Sequence, residues 1–253
     1  MKHMIDFVIP CHQKDFPSLK LCVNGIKNIS CRNKIYIISD QDPKIEGTIH
    51  ISERKFDGFI SKEDIKLIYS NKNPNLIYRS KWIYQQFLKL LCVNVIEDLT
   101  DSFVVVDSDT IFLRDVHFDS HLFFYSKAEE YHIPYLNPIK ILLNTEKTIG
   151  FSCINHHMIF NKEKIISMVN EIENRFNKEF STIILEIIDY NEISSFSEWD
   201  LYANYMITNY SDICFQRQLN WIDIPFIPNN TALEQFAKDY DFVSCHAHKR
   251  GIE

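Results

Sequence analysis

Two aspartates stand one residue apart directly behind a run of β-branched side chains, where residues 104–109 read VVVDSD. In an extended chain, residues at this spacing point to the same side, so the carboxylates of Asp107 and Asp109 can reach one cation. Carboxylate oxygens suit Mg2+ or Mn2+ and leave coordination positions free for phosphate oxygens. The segment therefore predicts a metal site, with a plain turn after a buried strand as the alternative.

A second set of metal-ligand residue types lies near the end of the sequence, where residues 244–249 read SCHAHK. Either His246 or His248 is a candidate third ligand beside the aspartates, and Lys249 is a candidate cation for a phosphate group. On a strand the two histidines would face the same side, so their spacing leaves open which of them binds. A hydrogen-bonding role without a metal is the alternative for each histidine.

The elements that must position these residues begin with a β-α-β pattern. The apolar strands 6–10 (DFVIP) and 34–40 (KIYIISD) flank an amphipathic stretch over 16–29. Parallel strands of this kind place their carboxyl ends at one edge of the sheet, where open α/β folds bind ligands. The residues at these strand ends are therefore expected to contact a base or ribose. They are Pro10, Cys11, His12 and Asp40.

A helix is predicted over about 80–96, following the loop NKNPN at 71–75. Its core-facing stripe consists of Ile83, Phe87, Leu90 and Leu91. Its other face carries Trp82, Gln85, Gln86 and Lys89. We expect this face to present amide and ammonium donors to sugar hydroxyls or phosphate, or else to be a solvated polar face with a part-buried tryptophan. Arg79, just before the helix, is a further candidate phosphate contact.

Further strands are predicted over 103–106, 121–126 and 152–160. A helix is predicted from about residue 162, and the tail segments IDIPFIP and DFVSCHAHKRG predict one or two more strands. His156 and His157 are expected on opposite faces of the strand over 152–160. At most one of the two therefore points into a cleft.

A capping box formed by Ser197 and Asp200 predicts the start of another helix. The helix dipole favours carboxylates in a first turn, which accounts for Asp200 without any catalytic role. Glu198 lies in the same turn beside Trp199. Either the same structural reason applies to Glu198, or it reaches the reacting sugar or serves as a base for an acceptor hydroxyl.

Composition and charge limit the classes of protein that the sequence fits. Its 253 residues with 45% hydrophobic content suffice for one large α/β domain. The net charge of −7 argues against a nucleic-acid or anionic-membrane binder. No segment approaches the roughly 18 apolar residues of a membrane span. Seven cysteines without a C-x-x-C pair fit a reducing cytoplasm, and no glycine-rich dinucleotide or P-loop motif is present.

In their order along the chain, these motifs resemble those of the nucleotide-sugar-dependent glycosyltransferases of the GT-A fold. The hallmark of that fold is an Asp-x-Asp motif at the end of a central strand. Residues 107–109 (DSD) look like that metal motif, and 153–161 (CINHHMIFN) looks like the Asn-containing acceptor strand of the glycogenin-like branch. Residues 198–200 (EWD) stand where that branch starts a helix with paired acids, and 244–249 is similar to its C-terminal histidine segment.

A little-characterised bacterial and viral group of surface-glycan GT-A enzymes is the closer match. It resembles this chain in the aromatic-Gln-Gln helix over 82–89 and in the Ser-Glu-aromatic-acid helix start at 197–200. His156 and His157 stand where the glycogenin-like branch has small residues. Acceptor recognition is therefore not carried over from that branch.

The resemblance implies a GT-A fold, with a Rossmann-like mixed central β-sheet flanked by helices, in a single domain over 1–253. It implies a nucleotide-binding half over 1–110 and an acceptor-binding half over 111–253. The implied reaction transfers a sugar from a nucleotide-diphosphate sugar, with a UDP-sugar as the expected donor, to a hydroxyl group of a glycan acceptor. Mn2+ or Mg2+ is the implied cofactor, and a cytoplasmic protein without a nucleic-acid partner or an integral membrane segment is expected.

The resemblance also implies roles for individual residues. Asp107, Asp109 and one tail histidine hold the metal, with His246 preferred over His248. Ser108 and Lys249 are implied to bind the nucleotide-sugar donor. They do so together with the residues named above at the strand ends and on or just before the helix over 80–96. The catalytic candidates are Glu198 and Asp200, and the candidates for sugar or acceptor contacts are Asn155, His156, His157 and Trp199.

Two other functions remain open on the sequence. A haloacid-dehalogenase-type phosphatase also has an apolar strand followed by Asp-x-Asp. Yet Thr110 stands where that family has glycine, about 100 residues precede the strand, and no later strand ends in paired acids. A non-catalytic, GT-A-like carbohydrate-binding protein would keep the same binding residues without turnover.

Overall fold

Strands and helices alternate over most of the chain, as the spacing of its apolar residues predicts. The structure is a computed structural model that describes residues 4–128 and 131–251, with the side chains of Ala247 and His248 outside the description. The strands are β1 (Ile5–Pro10), β2 (Arg32–Ser39), β3 (Ile49–Ser52), β4 (Ser102–Val106), β5 (Thr110–Phe112), β6 (Phe123–Tyr125), β7 (His157–Asn161), β8 (Cys214–Gln216), β9 (Trp221–Asp223) and β10 (Phe242–Ser244). The helices are α1 (Phe16–Lys27), α2 (Lys62–Lys72), α3 (Ser80–Val95), α4 (Leu136–Leu143), α5 (Lys162–Phe176), α6 (Phe180–Ile187), α7 (Glu198–Asn209) and α8 (Asn230–Phe236).

The central sheet has the strand order β3-β2-β1-β4-β7. β1 pairs in parallel with β2 and β4, β2 pairs in parallel with β3, and β7 runs antiparallel to β4. Every residue of β1 and β4 is buried, which explains why both read as nearly continuous apolar runs. Helices flank the sheet, with α1 packed on β2 and α3 on β1. The sheet is therefore mixed and mostly parallel, and the predicted fold class is confirmed.

A smaller sheet with the order β5-β10-β9 follows β4 through the Asp-x-Asp segment. Its antiparallel register pairs Ser244 of β10 with Thr110 of β5. Its parallel register pairs Ser244 with Asp223 of β9. The residues that follow Ser244 therefore lie beside Asp109 and Asp223, although all three segments are distant in sequence. The register of this sheet assembles the site described below.

Two strands have other bounds in the structure than the sequence predicts. The strand predicted over 152–160 begins only at His157, because His156 has a φ of 60° and interrupts the extended conformation. The tail strand stops at Ser244, and the chain turns into a 3-10 helix over 247–250. The expectation that both tail histidines alternate on one strand is therefore wrong. The physical reason is that the His246 carbonyl accepts hydrogen bonds from the Lys249 N–H at 3.1 Å and the Arg250 N–H at 3.2 Å, which close a helical turn in place of an extended strand.

Helix α2 lies in a stretch for which no element was predicted. Ser61 caps its N-terminus by accepting a hydrogen bond from the Asp64 N–H, and Ile65 and Tyr69 are its buried residues. So narrow a buried stripe gives only a weak helical periodicity, which explains why the apolar pattern did not reveal this helix.

The cysteines are all free thiols, and six of the seven are buried. This agrees with the absence of a disulfide framework from the cysteine spacing. None of the described helices has the length and apolar character that crossing a membrane requires.

Helix α1 approaches β5 so closely that position 25 requires glycine. A Cβ atom there would lie 2.7 Å from the Phe112 carbonyl oxygen and 2.8 Å from the Phe112 nitrogen. We expect Gly25→Ala to lower the free energy of unfolding by about 2 kcal/mol, since backbone atoms would have to move apart. Urea unfolding measures this, with Gly58→Ala as control because its Cβ would have no neighbour within 4 Å. An unchanged urea midpoint for Gly25→Ala would contradict this packing.

Candidate active site

Five side chains meet where β4 leads into β5, and we call them the imidazole–carboxylate cluster: Asp107, Asp109, His156, Asp223 and His246. His246 Nδ1 lies 2.9 Å from Asp109 Oδ2, and its Nε2 lies 3.3 Å from Asp223 Oδ1. His156 Nδ1 lies 3.5 Å from Asp107 Oδ2, and the Nε2 atoms of the two imidazoles are 3.4 Å apart. The structure thus brings His246 to the Asp-x-Asp pair. The side chain of His248 lies outside the described part of the chain.

The backbone carries His156 into the cluster and its neighbour His157 away from it. The Asp107 N–H donates to the His156 carbonyl at 2.8 Å, and the left-handed φ of 60° at His156 turns the chain there. Backbone strain of this kind concentrates at functional sites. His157 points into the core, where its ring centroid lies 5.0 Å from that of Phe112 and 4.9 Å from that of Phe242. Of the two candidates, His156 belongs to the cluster and His157 to the core.

The cluster attracts positive charge. Burial lowers the pKa of His246, but the hydrogen bonds and charges of Asp109 and Asp223 outweigh it and raise that pKa to about 10. Burial raises the pKa of Asp223, but hydrogen bonds from His246 and Lys249 bring it well below its ordinary value. An imidazole gives up its proton when it binds a metal ion, so carboxylates that hold this proton tightly also favour a metal cation in its place.

The donor set of the cluster fits a divalent ion. His156, Asp223 and His246 each offer one ligand atom, and these atoms lie within 4.8 Å of one another. Within the described ranges, the Asp109 Oδ1 atom is buried and receives no hydrogen bond. The Asp223 Oδ1 atom is also buried, and imidazole nitrogens of His246 and His156 lie 3.3 Å and 3.8 Å from it. A buried carboxylate oxygen is unfavourable unless a cation or a donor meets it. Imidazole and carboxylate ligands together suit Mn2+ and related transition-metal ions.

Lys89 forms a buried ion pair with two carboxylates behind the cluster. Its Nζ lies 2.6 Å from Asp107 Oδ1 and 2.6 Å from Glu198 Oε1. Lys89 is 2% exposed and Glu198 0%, and the Trp199 ring lies 4.2 Å from the ammonium. Burial lowers the pKa of Lys89, but Asp107 and Glu198 raise it overall, so the lysine stays protonated. Glu198 therefore binds an ammonium group inside the protein and does not project into an open cleft.

Asp200 is likewise buried, and it binds the segment between α4 and β7 to helix α7. Its Oδ2 lies 2.8 Å from Lys147 Nζ, and its Oδ1 accepts a hydrogen bond from the Cys153 N–H at 2.8 Å. The Asp200 N–H donates to Ser197 Oγ at 3.2 Å, which is the N-cap half of the predicted capping box. The Asp200 carboxylate makes the contacts described above and does not supply the other half. Asp200 is fully buried, so its observed contacts are structural.

We expect Asp200→Ala to lower the free energy of unfolding by about 3 kcal/mol, because Lys147 would lose its buried counterion. Lys147 is 5% exposed, so water cannot replace the carboxylate. Glu146→Ala is the matched control, since Glu146 pairs with Lys140 on the surface and such pairs contribute about 0.5 kcal/mol. Urea unfolding compares the two variants, and equal small losses would contradict the structural role of Asp200.

The predicted donor face of α3 does not act as one surface. Trp82 and Gln85 are half-buried, whereas Gln86 and Lys89 are buried. Gln86 Nε2 donates to the Trp82 carbonyl at 3.1 Å, and Lys89 is held by the carboxylates described above. The expectation of four donors side by side is wrong, because Glu198 of α7 and Asp107 enclose the Lys89 end of this face. Arg79 lies over the Trp82 ring at 4.4 Å, with its Nη2 2.8 Å from Ser194 Oγ.

The carboxyl ends of β1 and β2 lie at the same sheet edge as the cluster. His12 and Asp40 are exposed there, after β1 and β2, whereas Pro10, Cys11 and Ser108 are buried. Burial raises the pKa of the Cys11 thiol far above its ordinary range, so this thiol is neutral. His12 and Asp40 therefore remain available for a ligand at this edge.

The remaining candidates divide between the core and the cluster. Asn155 is buried, and its Nδ2 donates to the Ser126 carbonyl at 2.6 Å. Trp199 is buried against Phe160. Lys249 is exposed and forms an ion pair with Asp223.

Asp223 is the member of the cluster that the sequence analysis did not single out. Asp223 is the last residue of β9, and Asp107 directly follows β4. A carboxylate at the end of a strand was therefore the sequence feature that could have identified Asp223 as a site residue. Its partners come from β10 and β5, whose pairing with distant segments no local pattern reveals.

One solved glycosyltransferase structure shares this arrangement of strands and helices, and two others align with lower scores. Mouse xyloside xylosyltransferase 1 aligns with a TM-score of 0.52 at 6% identity over 97% of this chain and 99% of its own. The galactosyltransferase LgtC aligns at 0.48 and 9% identity, over 95% of this chain and 87% of its own. The bifunctional glycosyltransferase WbbM aligns at 0.49 and 11% identity, over 96% of this chain and 46% of its own. At these identities the xylosyltransferase likeness shows a common fold.

Sequence comparison places the chain in a family. No curated protein sequence matches it. A family model described as "Family of unknown function (DUF6492)" matches residues 2–239. Because this match spans nearly the whole chain, the protein belongs to the DUF6492 family.

Proposed function

We propose that the protein is a metal-dependent glycosyltransferase that moves a sugar from a nucleotide-diphosphate sugar, with UDP-sugars as the expected donors, to a hydroxyl group of a glycan. One observation carries this proposal: the imidazole–carboxylate cluster stands at the carboxyl edge of a GT-A-type sheet. At that same edge, His12 and Asp40 are exposed after β1 and β2. Open α/β sheets bind nucleotides at this edge, so metal and nucleotide sites adjoin.

The chemistry of sugar transfer explains why these residue types are needed. Cleavage of the bond between sugar and diphosphate leaves extra negative charge on the departing nucleotide. An ion bound in the cluster supplies Lewis-acid stabilisation of that charge. Lys249, exposed beside Asp223, adds a positive charge at the rim. Lys89 keeps Asp107 ionised and in place, since its charge helps hold the pKa of that carboxyl well below the usual range despite burial.

Glu198 and Asp200 are assigned here as positioning residues and not as an acid or base. Both are fully buried and pair with lysines. The residues assigned to the nucleotide are His12 and Asp40. The acceptor is assigned to the half over 111–253, beside the cluster.

The phosphatase alternative is less compatible with the contacts of Asp107. A phosphatase of that type needs this aspartate as a free nucleophile. Asp107 Oδ1 instead lies 2.6 Å from Lys89 Nζ, and Oδ2 lies 3.5 Å from His156 Nδ1. These contacts favour a fixed carboxylate that organises the site.

A thermal-shift screen of nucleotide sugars tests the proposal. With Mn2+ and a true donor at about 100-fold above its Kd, we expect the melting temperature to rise by about 5 °C, because the ligand binds only the folded state. Mn2+ alone and the nucleotide sugar with EDTA are the controls, and neither should give this rise. A panel of UDP-, GDP-, ADP- and CMP-sugars without any Mn2+-dependent shift would refute the proposal.

A further inference from the structure

We propose that a pocket at the amino end of β4 binds a small carboxylic acid whose apolar part is a single ring or a branched chain. Tyr202, Ser120 and Lys164 are the residues assigned to its carboxylate. The pocket is separate from the imidazole–carboxylate cluster, and its ligand is neither the sugar donor nor the metal ion. The proposal goes beyond sugar transfer and does not depend on it.

The pocket lies where β4 begins and β7 ends. Ser102 and Asn161, which pair in the antiparallel register of these strands, both line it. The cluster lies at the opposite end of β4, where Asp107 is about 17 Å from Ser102 at about 3.3 Å per residue.

The size of the pocket limits the class of ligand. Its volume is about 190 Å³. A cavity of about 150 Å³ admits benzene, whereas sites for larger organic ligands measure roughly 300–1,000 Å³. The pocket therefore has room for one ring with a short polar substituent and is too small for a nucleotide sugar.

Part of the wall is apolar and firmly packed. It consists of Leu122, Phe123, Ile159, Phe160, Met206 and Ile213. The ring centroids of Phe160 and Phe123 lie 4.5 Å and 5.6 Å from that of Tyr202, and all three rings are buried. An apolar group placed against this wall leaves water, which favours binding.

Two hydroxyl groups at the pocket have hydrogen-bonding capacity that the protein does not use. Tyr202 is fully buried, and its hydroxyl oxygen accepts a hydrogen bond from the Asn161 N–H at 2.9 Å. Among the described residues, no group accepts the proton of this hydroxyl. The Ser120 Oγ atom is also buried, with no hydrogen-bond partner in the same part of the chain. Unused buried donors are unfavourable, and an acceptor oxygen of a ligand would satisfy them.

The charge around the pocket favours an anion. None of its described lining residues is acidic, although the chain has a net charge of −7. Lys164 lines the pocket, and its side chain is 21% exposed. Glu163 Oε1 lies 3.5 Å from Lys164 Nζ, but the Glu163 side chain is 83% exposed, so water screens this pair. One ammonium beside apolar walls suits a singly charged carboxylate better than a doubly charged phosphate, whose burial costs more.

Phenylacetate is the probe that tests the site, with binding followed by NMR of the full chain labelled with carbon-13 at its methionine methyl groups. Met206 lines the pocket, whereas Met168 lines a different one and is the internal control. Met206→Leu identifies the Met206 signal. We expect phenylacetate to shift the Met206 signal and not that of Met168, with a Kd on the order of 1 mM for about ten non-hydrogen atoms.

Two compounds and three variants test the chemistry of recognition. Acetate lacks the apolar ring and phenylacetamide lacks the charge, so each should bind at least about 10-fold more weakly. Tyr202→Phe and Lys164→Met should each raise the Kd for phenylacetate by about 5- to 10-fold. Lys162→Met is the matched control and should leave this Kd unchanged, because Lys162 is on the same helical turn but does not line the pocket.

A Met206 signal that phenylacetate leaves in place would overturn the proposal. So would equal Kd values for phenylacetate and phenylacetamide, or for Lys164→Met and Lys162→Met, and these comparisons stand even if Tyr202→Phe fails to fold. Neither Mn2+ nor a nucleotide sugar is present in the test. Phenylacetate binding by a protein that turns over no nucleotide sugar would therefore refute the transferase proposal and leave this site standing.

Discussion

Lys89→Met is expected to lower the free energy of unfolding by about 4 kcal/mol, because breaking a buried ion pair leaves uncompensated charge behind. The ammonium of Lys89 lies 2.6 Å from a carboxylate oxygen of Asp107 and 2.6 Å from one of Glu198. Glu198 is fully buried, so water cannot take the place of the ammonium. The measurement is urea unfolding followed by circular dichroism.

Two further variants separate this effect from a general loss of helix stability. Lys81→Met removes an exposed lysine from the same helix and should change stability by about 0.5 kcal/mol or less. The double variant Lys89→Met/Glu198→Leu removes the stranded carboxylate as well and should recover about 2 kcal/mol. A Lys89→Met protein that unfolds at the urea concentration of the unmodified protein would show that the two carboxylates do not depend on this lysine.

His246→Gln is expected to reduce the rate of donor hydrolysis at saturating Mn2+ by about 100-fold or more. His246 bridges Asp109 and Asp223 through its two ring nitrogens, so glutamine would remove a contact to each. The measurement is release of nucleoside diphosphate from the donor that the thermal-shift screen identifies. His121→Gln, at an exposed position away from the cluster, is the matched control and should keep full activity. Equal rates of donor hydrolysis for both variants would show that the reaction does not need His246.

Local sequence patterns predicted the parts of the fold that depend on residues close together in the sequence. The apolar run before Asp107 marked a buried central strand, and the β-α-β start followed from the period of the apolar residues. The Ser197 cap correctly marked the start of α7. These features depend on contacts a few residues apart, which a sequence displays directly.

The features of the site that the sequence did not reveal depend on contacts between segments that are distant along the chain. Asp223 joins the cluster because β9 pairs with β10. His246 lies beside Asp109 because the pairing of β10 with β5 continues through the hydrogen bond from the Cys245 N–H to the Asp109 carbonyl. Lys89 reads as part of a polar helix face, yet two carboxylates from distant segments bury its charge. Periodicity separates polar from apolar faces, but only tertiary contacts show which polar groups are enclosed.

Turnover of nucleotide sugars by the purified protein tests sugar transfer most directly. The protein is incubated with each UDP-sugar, and separately with simple phosphate monoesters, in Mn2+ or in EDTA. Free sugar, nucleoside diphosphate and inorganic phosphate are measured. We expect slow release of free sugar and UDP from one donor with Mn2+ and none with EDTA, because water replaces the missing acceptor. Release of phosphate from simple monoesters, or no turnover of any nucleotide sugar in Mn2+, would contradict a metal-dependent glycosyltransferase.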